Sequence, residues 1–110
     1  MNATRLAALE GVDVDASPDA RELLSQDISG VARESVAAVA RPRDADALCR
    51  LVAHAAATGT PLLPRGGGMS YTRGYVADSP SAVVVDLRGL DAIESVDTAN
   101  LVAVVQPGVT

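Results

Sequence analysis

The chain has 110 residues, a hydrophobic share of 48%, a charged share of 21% and a formal net charge of −5. That length fits one small domain and that composition a folded one, while an acidic chain without a basic stripe is a poor counter-surface for nucleic acid. All the basic residues are arginine, which excludes a Schiff-base lysine and a phosphate-loop lysine. One Cys and one His exclude an internal disulfide and leave too few ligands for the common metal sites, so no metal is expected.

Asn2 to Glu10 reads as a short helix, with Leu6 and Leu9 on one face and Gly11 to end it. Ser17-Pro18-Asp19 is a helix start: a capping serine, a proline in the first turn and an acid near the positive end. That helix is expected to run to about Ser25. Gln26 to Glu34 reads as loop, with Asp27, Ser29 and Gly30 as turn residues. Val36 to Ala40 reads as a buried strand ending at Arg41-Pro42.

Asp44 then caps the most regular helix in the chain. Leu48, Leu51, Val52, Ala55 and Ala56 form one apolar stripe, and Asp46, Arg50 and His54 fall on the opposite, wet side. Gly59 supplies the C-terminal cap and Pro61 prevents continuation. A second strand begins at Leu62-Leu63, and Ala82 to Leu87 is apolar enough to be buried on both faces. Leu90 to Asp97 and Leu101 to Gln106 read as a hairpin turning at Thr98-Ala99-Asn100, with Asn100 suited to left-handed backbone. The strand–helix–strand unit is expected to be parallel and the last strands antiparallel. The fold class is α+β with an α/β-like start, a small mixed sheet with packed helices.

The segment Pro64-Arg65-Gly66-Gly67-Gly68-Met69-Ser70-Tyr71-Thr72-Arg73-Gly74-Tyr75 stands out. Glycines leave the backbone open to a ligand, and successive N–H groups there can form an anion nest. Ser70, Tyr71 and Thr72 add hydroxyls, and Arg65 and Arg73 add charge. The dinucleotide fingerprint fails, because Tyr71 stands where its third glycine should be and no amphipathic helix follows. The Walker loop fails for want of lysine. A tight connection between strands accounts for a glycine run equally well, so these residues mark a site without naming its ligand.

The run from Ala38 to Gly68, containing VARPRDADALCRLVAHAAATGTPLLPRGGG, resembles the start of the PCMH-type FAD-binding domain of the vanillyl-alcohol oxidase and p-cresol methylhydroxylase family. AVVVDLRGLDAIESVDTANLVAVVQPGVT is similar to the family's next strands and its Pro-Gly-Val turn. The resemblance covers roughly Asp27 to Thr110 and rests on the order of features, with residues 1–26 as a helical lead-in. It implies the first half of that fold and a cofactor, FAD, whose pyrophosphate lies in the glycine loop. The cofactor-binding residues so implied are Arg65, Gly66, Gly67, Gly68, Met69 and Ser70, with Tyr71 and Thr72 beside them and Gly108 and Val109 in the later turn.

Some family members carry a histidine just after the loop glycines and bond flavin to it; Met69 stands there, so non-covalent FAD is expected. Arg73 stands where small residues are common in the family. The family's flavin domain also continues past the Pro-Gly-Val turn, usually into a substrate domain, so this chain is expected to be an N-terminal fragment, inactive alone. The implied function is a cytoplasmic FAD-dependent oxidase or dehydrogenase. Its small-molecule substrate would be held downstream, and no catalytic residue can be named here. The alternative is a non-enzymatic α/β binding module without flavin. His54 is expected to be a solvated surface histidine, Cys49 a small core residue, Asp27 with Ser29 a turn device, and Asp91, Glu94 and Asp97 a wet strand face. Oligomeric state is not legible in the sequence.

Overall fold

A computed structural model describes residues 3–31, 34–77 and 79–110. The elements in chain order are α1 (Ala3–Ala7), β1 (Val12–Asp15), α2 (Pro18–Leu23), β2 (Gln26–Asp27), β3 (Gly30–Val31), β4 (Ala38–Pro42), α3 (Ala45–Thr58), β5 (Leu62–Arg65), β6 (Val83–Asp86), β7 (Ile93–Asp97) and β8 (Val102–Val105). The first helix is shorter than Asn2 to Glu10: it stops at Ala7, and Asn2 lies outside the described residues. Gln26 to Glu34 is not all loop, because β2 and β3 form a two-residue antiparallel ladder; Ala32 and Arg33 lie outside the described residues.

The central sheet has four strands in the order β1-β4-β6-β5. Both β4 and β5 are parallel to β6, which lies between them, and β1 joins the far edge antiparallel to β4. The strand–helix–strand unit β4-α3-β5 is thus parallel, as expected, but its two strands are not neighbours. The buried row Ala82 to Asp86 matches the sequence expectation for a strand covered on both faces.

Alternation along the strands divides the core. Ala40, Val83 and Val85 face α1 and α3 through Leu6, Ala47 and Leu51. Val39 and Val84 face the other way, against Leu24, Val36 and Ala77. The face of α3 that packs is Ala47, Leu51 and Ala55, with Leu48 half-buried beside it. Val52 and Ala56, expected on that stripe, are exposed, and Arg50 and His54 are half-buried. Alanines at 47 and 55 let the helix lie close to the sheet, so Leu51 is the one large side chain driven fully inward. Cys49 is exposed and is no core residue.

Caps fix the ends of the helices. The Ser17 side chain accepts from Ala20 N, with Pro18 in the first turn. Asp44 Oδ1 accepts from Ala47 N at 2.7 Å. Gly59 ends α3 in left-handed backbone at φ 64°, and Thr60 N then donates to Ala55 O.

The β7–β8 hairpin stands apart, with every residue of both strands exposed. Asp97 Oδ1 accepts from Ala99 N and Asn100 N at its tip, both at 3.0 Å. The left-handed residue is Leu101 (φ 55°), one position after the expected Asn100. At its root, Gln106 N donates to Ala92 O and Gly108 N to Leu90 O.

Candidate functional site

Parallel strands end on one side of a sheet, and in α/β architectures ligands bind beyond those ends. Here β5 and β6 end in register at Arg65 and Asp86, and the glycine loop leaves directly from Arg65. The return turn after β8 reaches the same place. A Cβ on Gly66 would stand 2.9 Å from Pro107 O, and one on Gly108 would stand 2.5 Å from Leu87 O and 2.6 Å from Arg88 O. Residue 66 must therefore be glycine for the loop to meet the return turn, and residue 108 for that turn to meet the end of β6.

The three loop glycines have different reasons to be glycine. Gly68 has φ 81°, and a Cβ there would meet the Arg65 guanidinium at 2.5 Å. Gly66 is required by the Pro107 approach. Gly67 has neither constraint: nothing lies within 4 Å of its Cβ direction, and its φ is ordinary. Among the described residues, none accepts a hydrogen bond from the backbone N–H of Gly66, Gly67, Gly68 or Met69. Four successive donors of this kind, one beside an open glycine, make a surface suited to an anion.

The side chains named from the sequence fall into two groups. Met69, Tyr71, Thr72 and Arg73 are exposed on the loop. Arg65 and Ser70 are already engaged within the chain. The Arg65 guanidinium donates to Gln26 O at 2.6 Å and lies 5.3 Å from the centre of the Tyr75 ring. Ser70 Oγ accepts from Gly74 N at 2.9 Å and from Thr72 N at 3.4 Å, which folds the outgoing limb into a turn. The structure thus brings Arg65, residues 66–70 and Gly108 together, with half-buried Val109 next in the return turn.

Asp27 and Ser29, expected to be a turn device, do form one, and they also touch the loop. Asp27 Oδ1 accepts from Ser29 N at 2.8 Å. Asp27 Oδ2 accepts from Tyr75 N at 3.4 Å, and Ser29 Oγ accepts from Arg73 N at 2.9 Å. The Ser29 hydroxyl, then the Tyr75 and Ser29 amides and the Ser70 hydroxyl, hold the Asp27 carboxyl below its usual range against desolvation.

A second charged group lies under the site. Buried Asp86 receives a fork from Arg88, Nε to Oδ1 at 2.9 Å and Nη2 to Oδ2 at 2.7 Å, and Arg41 Nε lies 3.3 Å from Oδ2. The Arg88 fork is the main reason the Asp86 carboxyl lies below its usual range. Arg41 also lies 3.6 Å from Asp13 and from Asp15. This network fixes the turn on which Gly108 rests. Its position follows from pairing in the sheet, so sequence inspection passed over Asp86. No group of three or more potential metal ligands occurs among the described residues.

A glycine loop leaving a parallel strand, with amides that find no acceptor among the described residues and a return turn approaching at Pro107, is suited to an anion and is neither a Rossmann nor a Walker loop. The particular family follows from comparison: residues 36–110 match the FAD binding domain family, and the chain belongs to it. Among solved structures, alkyldihydroxyacetonephosphate synthase superposes with a TM-score of 0.76 at 20% identity, over 87% of this chain and 20% of that one. Aclacinomycin oxidoreductase gives 0.67 at 26% identity, over 90% and 20%. Wild-type BBE-like 1 of Physcomitrella patens gives 0.66 at 21%, over 90% and 21%. The fold is that of PCMH-type FAD-binding enzymes, and FAD is the cofactor of the family. No curated protein sequence matches. The chain spans about one fifth of the length of these solved relatives. The matches do not favour an α/β module without flavin.

Proposed function

We propose that residues 64–75 hold the pyrophosphate of FAD in a flavin-dependent oxidoreductase, with residues 27–110 as the first part of its flavin domain. The observation that carries this is Gly67: the chain leaves space for a side chain there, and its own fold does not require glycine. A bound group occupying that space supplies the missing reason. The amides of Gly66 to Met69 would donate to phosphate oxygens, Gly66 would keep the return turn against the loop, and Gly108 would seat that turn on the end of β6. Bound flavin would supply hydride acceptance. This chain's part is to bind and orient it, and catalytic groups and substrate contacts would lie elsewhere in the enzyme. One structural relative is named a synthase and another an oxidoreductase, so the substrate does not follow from this segment.

The test is Gly67→Val in the full-length gene product. The expected result is at least a tenfold weaker FAD affinity by fluorescence titration, with the thermal midpoint of the flavin-free protein unchanged. Equal affinity would sink the pyrophosphate assignment. Met69 carries no imidazole, so binding is proposed to be non-covalent: acid or urea should release flavin from the unfolded chain. Flavin that stays attached would contradict it. No helix of the described residues is long and apolar enough to cross a membrane. The cytoplasmic location expected from the sequence is a separate proposal. Fractionation that finds it elsewhere would refute that placement.

A further inference from the structure

We infer that the β2–β3 turn is a clasp that shapes the glycine loop for its ligand, with Asp27 and Ser29 as positioning residues. The inference rests on the pyrophosphate reading above and assigns a role to residues outside the loop. The turn holds both limbs of the loop at once. Its Gln26 carbonyl receives the Arg65 guanidinium, on the incoming limb. Its Ser29 hydroxyl and Asp27 carboxylate receive the amides of Arg73 and Tyr75, on the outgoing limb. Between these anchors lie residues 66–69, whose amides have no acceptor among the described residues.

Three observations support a positioning role. A carboxylate beside a phosphate loop repels the ligand's charge, so Asp27 cannot act by direct contact; its oxygens are directed instead to Ser29 and Tyr75. Arg73 sits at φ 59°, left-handed backbone that a non-glycine residue rarely adopts, and its amide is the one that Ser29 receives. Gly30, in the same turn, has φ 157°, and a Cβ there would approach the Arg73 guanidinium to 3.2 Å. The two segments are therefore fitted to each other, although more than 40 residues separate Ser29 from Arg73 (|i−j| = 44). Preorganised donors bind tighter because the ligand need not order them.

The test compares Asp27→Ala, Asp27→Asn and Ser29→Ala with wild type in the full-length gene product. FAD affinity is measured by titration, and amide hydrogen exchange is measured on the flavin-free protein. Asp27→Ala is expected to weaken FAD at least tenfold and to speed exchange of residues 70–76 at least tenfold, leaving α3 and β6 unchanged. Asp27→Asn, which keeps only one of the two acceptor oxygens, should fall between Asp27→Ala and wild type in both. Ser29→Ala should act in the same direction and serves if Asp27→Ala does not fold. Exchange that rises in α3 and β6 as much as in the loop would overturn the inference, since Asp27 would then be a general fold residue. Wild-type FAD affinity in the variants would overturn it too. A wild-type protein that takes up no FAD would instead overturn the pyrophosphate reading.

Discussion

Strands β6 and β8 are nearly the same in composition, Val83-Val84-Val85-Asp86 against Val102-Ala103-Val104-Val105, and their surroundings are opposite. Val83 and Val84 are wholly buried, whereas Val102 and Val104 are 53% and 47% exposed. β6 is paired along both edges and covered on both faces. β8 has one partner, β7, and neither is covered. Burying a valine contributes about 1.5–3 kcal/mol, so β6 anchors the domain. The hairpin rests on its Asp97 tip and its hydrogen-bonded root, and two strands alone are marginal in water. A valine run thus announces a strand, while its burial depends on segments far away in sequence.

The largest expected effect sharpens this contrast. Val84→Asp should destabilise the domain by more than about 4 kcal/mol, because it places an unpaired charge in the core. Val104→Asp should change stability by less than about 1 kcal/mol. Urea denaturation of both variants decides, and equal losses would break the comparison.

Next in size is Asp86→Ala, expected to cost about 1–2 kcal/mol by removing the Arg88 fork, since Arg88 keeps access to water and Arg41 keeps Asp13 and Asp15. Because the folded Asp86 pKa is depressed, its contribution is fully present above the unfolded value of about 3.9 and fades as pH falls through the lower folded value. Asp86→Asn should flatten the acid limb of a stability–pH curve, and an unchanged limb would count against the network. The hairpin should matter to association. β8 carries no charge or proline along its free edge, so the 110-residue chain should self-associate at high concentration by light scattering. Val104→Lys should suppress this, and a chain that stays monomeric without it would contradict the edge assignment. The smallest effect is Arg50→Ala, about 0.5 kcal/mol or less, since its Nε bonds only the exposed Glu10 carbonyl.

Local chemistry was legible in the sequence. Ser17, Asp44 and Gly59 cap their helices as expected, and Asp27 with Ser29 forms its turn. The family was legible too, from the order of features around the glycine loop. Pairing was not. β1 is only four residues, Val-Asp-Val-Asp, and becomes a strand because β4 is beside it and Arg41 lies between Asp13 and Asp15. The 3.6-residue period of α3 admitted two overlapping faces, and the sheet selected the one through Ala47, leaving Val52 and Cys49 outside. At the site, composition could not separate a glycine demanded by the fold from one left open. That distinction among Gly66, Gly67 and Gly68 depends on Pro107 and on the course of Arg65.

The contact between Gly66 and the Pro107 carbonyl also sets a clock. The residues that meet are numbered 66 and 107, so 41 further residues must be made before the loop's back wall exists (107 − 66 = 41). At synthesis rates of roughly 5–20 residues per second, that delay is about 2–8 seconds. For that interval β5 has already been made and the glycine run hangs from it without its support. On the pyrophosphate role proposed above, cofactor loading would belong after the return turn has been synthesised.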